Sequence, residues 1–186
     1  MRARIEMRRS FVVLLAALWC VDETNALPLF LLAAALHEAG HLLALRLSDG
    51  RLHRLVLSGS GAVLRCALPR GRCARTAICL AGPAMSFALT AAAGMLGAWR
   101  LAGASALLGL FNLLPMPPLD GGMALFHLCD GKFLSVRRGI ALISAAGLLL
   151  AGLQLLRAGG GIWLLLIGGL VLIKYLKSLA NGSYMV

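Results

Sequence analysis

"LHEAGHLLAL", residues 36–45, sets His37, Glu38 and His41 inside a run that is otherwise almost wholly apolar. Ionisable side chains are costly at membrane depth unless they are paired or ligated, so their presence in so greasy a segment demands a reason. The composition makes the bilayer the right setting. With 60% hydrophobic residues, only 13% charged and a mean hydropathy of +0.88, the 186 residues carry more apolar surface than one soluble core can bury. The length suits a single membrane-embedded domain, residues 1–186, and no polar stretch is long enough for a second, soluble one. There is no internal repeat and no low-complexity linker.

Working outward from residues 36–45, apolar segments fall at roughly 10–21, 27–47, 76–98, 101–117, 139–156 and 161–173. Judged against the about 20 residues that a spanning helix needs, they predict an all-α polytopic membrane protein with about six transmembrane helices. The first is short. It either recruits the arginine-bearing arm before it or thins the bilayer. "MRARIEMRRS" followed by "FVVLLAALWC" also has the charged and apolar regions of a signal peptide, but "VDETNA" offers no small-x-small cleavage site, which favours a retained helix.

A net charge of +11 invites a nucleic-acid reading, which the positions of the charges exclude. Sixteen of the eighteen Lys and Arg residues fall in the arm, around Arg46–Arg75, after the fourth span or after the sixth; only Arg100 and Arg157 fall on the other side. That is the positive-inside pattern of a multi-pass protein of a bacterial-type cell membrane with both termini cytoplasmic. The five cysteines are odd in number and form no C-x-x-C pair, so they read as reduced packing residues.

On a helix His37 and His41 lie one turn apart, about 40° off the same face, and both imidazoles reach one metal ion. Glu38 points about 100° away from His37. This is the H-E-x-x-H arrangement, in which zinc lowers the pKa of a water and the glutamate removes its proton. A third protein ligand is needed. The metzincin pattern fails, because Ala44 and Leu47 stand where its glycine and third histidine belong, and no glutamate lies downstream of Glu38. What remains is Asp49, His53, Asp120, His127 and Asp130. Asp49 would sit roughly 12 Å from His41 on a continuing helix, too far to share a metal. Asp120 has the most distinctive surroundings, "FNLLPMPPLDGG" (residues 111–122): three prolines that break a helix, then a glycine pair expected to free the backbone beside the acid. His53, His127 and Asp130 lie where solvent is expected to satisfy them.

Together, HEAGH in an early span, "LAGPAMSF" (residues 80–87) opening the third and "NLLPMPPLDGG" (residues 112–122) closing the fourth resemble the site-2 protease family of intramembrane zinc metalloproteases. The compact layout, without a PDZ insertion, is most similar to the sporulation branch that processes pro-sigma-K. The resemblance covers residues from about 10 to 178. It implies zinc held by His37, His41 and Asp120, Glu38 as general base, and a substrate or transition-state contact from Asn112. Many family members carry Asn where Ser86 stands here. No CBS domain is expected after the last span, so regulation by that route is absent or supplied by another chain.

"RLHRLVLSGSGAVLRCAL" (residues 51–68) alternates and breaks at Ser58 to Gly61, predicting a small β-hairpin after the second span whose edge can accept an unfolded substrate strand. The expected partners are a membrane-associated protein substrate and the lipid bilayer; a regulatory membrane partner or a homo-oligomer stays open. The rival reading is a non-catalytic membrane zinc carrier or an inactive protease scaffold. Glu38 separates the two, since transport needs no base beside the metal.

Overall fold

The computed structural model describes residues 4–58, 61–129, 134–157 and 163–180. In chain order these form β1 (Arg4–Met7), α1 (Arg9–Val21), α2 (Leu27–Leu47), β2 (Arg51–Ser58), β3 (Gly61–Ala67), α3 (Arg72–Met95), α4 (Trp99–Asn112), α5 (Asp120–Leu128), α6 (Leu134–Arg157) and α7 (Trp163–Ala180). The chain divides into two compact units, Met1–Phe111 and Asn112–Val186.

In the first unit α2 and α3 make the central packing. Each is long and apolar enough to cross a membrane, at 21 and 24 residues. They approach closely because glycine faces backbone: a Cβ on Gly40 would lie 2.5 Å from the Ala81 carbonyl oxygen and 2.8 Å from Met85 Cβ. Helix α2 starts at Leu27–Pro28, where proline's missing N–H costs nothing. Asp22 caps that end, accepting the Leu27 N–H at 2.8 Å and the Ala26 N–H at 3.0 Å. Helix α4 packs on α3 through Gly109, whose added Cβ would meet Ser86 Cβ at 3.0 Å.

Large apolar side chains cover much of the surface while several polar ones are buried. Val13 (68% exposed) and Leu107 (68%) face outward, while Ser86 (1%) and Ser105 (0%) are sealed inside. Hydrocarbon around the protein accounts for both, because apolar side chains then gain nothing by hiding and polar ones must find partners within.

The β element departs from expectation. The strands break at Ser58 and resume at Gly61, as the alternation predicts, with the turn between them outside the described residues. However, the sheet has three strands in the order β1-β2-β3, and the third comes from the N-terminal arm. β1 runs parallel to β2 in the register Arg4↔Arg54, and Glu6 binds Arg54 at 2.8 Å. The arm thus does not lengthen the first helix. Its Arg-Ile-Glu-Met alternation was too short to read alone, and pairing with a distant strand supplies the backbone partners. β2 pairs antiparallel with β3, with an irregularity between Leu52 and Arg54. Burial pushes the Cys66 thiol on β3 up, which keeps it a packing residue.

In the second unit α6 and α7 pack through Gly152 against Leu165 and Gly168 against Leu148. The fourth apolar segment stops short of its expected end, because α4 terminates at Asn112 and a loop carries Pro115, Pro117 and Pro118 to α5.

Candidate metal centre

His37 and His41 project from one face of α2 and are both buried. Their Nε2 atoms converge to 3.3 Å of each other. Each ring is held from behind by α3: Ser86 Oγ lies 2.9 Å from His37 Nδ1, and the Ile78 carbonyl accepts from His41 Nδ1 at 2.8 Å. The earlier histidine meets the later residue of α3, as antiparallel helices require. Because a carbonyl oxygen only accepts, Nδ1 of His41 carries the proton and its Nε2 presents a lone pair. An acceptor on Nδ1, as the Ile78 carbonyl is for His41, is the arrangement by which proteins orient metal-binding imidazoles.

Two features of the local sequence accompany this arrangement. Pro83 sits inside α3 and has no N–H to donate to the carbonyl of Cys79, one residue after the Ile78 carbonyl that meets His41 Nδ1. Gly82 leaves room in front of the rings: a Cβ there would fall 2.2 Å from His41 Nε2 and 2.7 Å from His37 Nε2. The glycine of LAGPAMSF is therefore a space requirement of the histidine pair as well as a packing residue.

The pair fits a tetrahedral zinc ion. With Zn–N bonds of about 2.0–2.1 Å, two imidazole nitrogens on one tetrahedral metal stand about 3.3–3.4 Å apart, which is the separation observed. Glu38, half-buried, follows His37 on α2.

The other predicted residues are placed as follows. Asp120, half-buried, is the first residue of α5, where the positive end of the helix dipole favours a carboxylate. Gly121 and Gly122 are helical, so they do not free the backbone as expected. They are there for space, since a Cβ on Gly121 would lie 2.1 Å from the Leu113 carbonyl oxygen and one on Gly122 2.3 Å from Pro117 N. The proline loop folds back on α5 and only glycine fits beneath it. Asn112 ends α4 and is half-buried. Asp49 and His53 are exposed, and Asp130 lies outside the described residues. His127 was expected to meet solvent. Instead it is buried, with its ring edge-on to Phe126 at 5.4 Å, on the side of α5 that Ala124 also buries. Sequence reasoning missed the two Nδ1 partners. A backbone carbonyl leaves no trace in sequence, while Ser86 was legible only as a departure from a family pattern.

The sequence pattern of Peptidase family M50 matches residues 90–153. Rip3 of Mycobacterium tuberculosis, provisionally named a zinc metalloprotease, is 41% identical over 115 residues, covering 49% of this chain and 29% of Rip3, and the same match recurs in a second strain. The chain thus spans under a third of the length of these relatives. The solved structure of the Site-2 Protease from Methanocaldococcus jannaschii superposes with a TM-score of 0.65 at 24% identity, over 92% of this chain and 88% of that one. The chain shares its fold with a site-2 protease. The sequence likeness to Rip3 and the M50 pattern points the same way as the buried histidine pair.

Proposed function

We propose that this chain is an intramembrane zinc metalloendopeptidase that cleaves peptide bonds in membrane-embedded or membrane-adjacent protein substrates. The observation that carries the reading is the 3.3 Å convergence of His37 and His41 Nε2 with both Nδ1 atoms anchored on α3. His37, His41 and Asp120 hold the metal. The elimination of other ligand patterns supports Asp120, as does its place at the start of α5 directly after the proline loop. Residues 1–186 work as one membrane-embedded domain, a reading that the apolar composition along the whole chain supports.

A zinc ion held by these residues would supply Lewis acidity at the scissile carbonyl. Glu38 would serve as the general base that accepts a proton from the attacking water and returns it to the leaving amine, a task for a carboxylate placed one residue from a ligand. Asn112 offers an amide to the substrate. Since a helical segment has its carbonyls bonded internally, the substrate must be locally unwound, which favours segments rich in helix breakers. Six spans with both termini cytoplasmic, and kinship with the sporulation branch, are the finer parts of this proposal; the basic-residue asymmetry supports the first and the compact layout the second.

The test is a pair of variants assayed for zinc content and for cleavage of a model membrane substrate. Glu38→Gln is expected to retain zinc and lose cleavage by about 100-fold or more, as befits a lost general base. Asp120→Ala is expected to lose both. Cleavage by Glu38→Gln at the wild-type rate would refute Glu38 as the general base, absence of cleavage by the zinc-loaded wild type would refute the enzyme assignment, and full zinc in Asp120→Ala would refute the ligand set.

A further inference from the structure

We infer that Ser86 is a positioning residue for His37, setting the tautomer in which that imidazole can bind metal; the inference rests on the zinc reading above. The two histidines differ in one respect. His41 faces a carbonyl, which can only accept, so its tautomer is settled by the backbone. His37 faces a hydroxyl, which can accept or donate. If Ser86 Oγ accepts, His37 carries its proton on Nδ1 and both Nε2 atoms present lone pairs to a metal. If Ser86 donated instead, the His37 proton would sit on Nε2, 3.3 Å from His41 Nε2, and would close the pair on itself as an N–H···N contact. The direction of one buried hydroxyl thus separates a metal-ready pair from a closed one.

The surroundings hold Ser86 in place. It is 1% exposed, and its Cβ is backed by Gly109 of α4. Its carbonyl accepts the Ser105 hydroxyl at 2.8 Å and the Thr90 hydroxyl at 2.9 Å. Ser105 is fully buried on α4, so α4 pins the turn of α3 that presents Oγ to His37. With its backbone so held and its side chain sealed against α4, Ser86 Oγ stays against His37 Nδ1, and its O–H can still rotate.

The experiment compares the detergent-solubilised full chain with Ser86→Ala, Ser105→Ala and Ser144→Ala. Zinc affinity is read by competition with a chromophoric chelator, and the d–d absorption of the cobalt-substituted protein reports ligand geometry. Ser86→Ala is expected to bind zinc about 10- to 100-fold more weakly, the range for a lost metal-ligand partner, with a changed cobalt spectrum. Ser144→Ala removes a comparable hydroxyl, back-bonded to the Ile140 carbonyl on α6, and is expected to keep wild-type affinity. A zinc affinity and cobalt spectrum for Ser86→Ala equal to wild type would overturn the inference. Should Ser86→Ala fail to accumulate as folded protein, the cobalt spectrum of Ser105→Ala carries the test, and an unchanged spectrum there is equally fatal. A wild-type chain that binds no zinc is a different result, overturning the functional reading beneath it.

Discussion

At the scale of single residues, the centre depends as much on an atom left out as on the donors present. Gly82 has no side chain, and any Cβ there would enter the space between the two Nε2 atoms, at 2.2 and 2.7 Å. Neither ring can retreat, since each is tied to α3 through Nδ1. Gly82→Ala is therefore expected to lower zinc affinity at least about tenfold, the scale of a displaced ligand orientation, and to abolish cleavage in a chain that still folds. Zinc stoichiometry after purification checks it, and full occupancy would contradict the space argument. Asp22 gives a second residue-scale prediction. Its hydrogen bonds from Leu27 and Ala26 hold its carboxyl below the ordinary value of 3.8. A depressed native value means that the cap stabilises the start of α2 above the unfolded-state value and is lost as pH falls through the native one. Protection of the Ala26 and Leu27 amides, taken relative to their intrinsic exchange rates, should fall below about pH 4 in the wild type, and Asp22→Asn should lack that acid-dependent loss of protection.

At the scale of elements, α2 and α3 form a pair whose contact is specified by small residues on both sides. Gly40 meets the Ala81 carbonyl at 2.5 Å from where a Cβ would stand, a backbone atom that cannot rotate away. Gly40→Val must therefore push the helices apart. Overpacking of this kind costs about 1–3 kcal/mol, and here it would also stretch the bonds from His37 to Ser86 and from His41 to Ile78. The expected outcome is a lower unfolding midpoint in detergent together with weakened zinc binding. A variant with unchanged midpoint and unchanged affinity would show that the helices tolerate separation. The three-stranded sheet is an element-scale lesson of another kind. β1 is four residues long, and only its register with β2 and the Glu6–Arg54 pair reveal it as a strand.

At the scale of the whole molecule, the basic residues set the expected orientation. Both termini and the segment around Arg70 are expected on the cytoplasmic side, with Arg100 and Arg157 on the far side. Single-cysteine labelling at Arg70 and Arg100 in intact cells checks this, and labelling of position 70 from outside would reverse the arrangement. That orientation would put the β2–β3 sheet, with Arg51, Arg54 and Arg65, on the side that carries anionic lipid.

What sequence alone determined here was whatever local spacing encodes. H-E-x-x-H on a helix fixes the relation of His37, Glu38 and His41 through the 3.6-residue turn, and the apolar composition dictates the solvent. The break at Ser58–Gly61 and the stop at the prolines follow from alternation and from the missing proline N–H. Tertiary structure decided the rest, because those features depend on which atoms of distant segments meet. The Ile78 carbonyl behind His41, the placing of Ser86 Oγ beside His37, the burial of His127 and the N-terminal strand beside β2 carry no local signal. The glycines show the division most plainly. Gly40, Gly82, Gly121 and Gly122 were readable as small residues or as hinges, but none of them is present for backbone freedom; each is glycine because a carbonyl, an imidazole or a proline ring approaches to within a distance that no Cβ would survive.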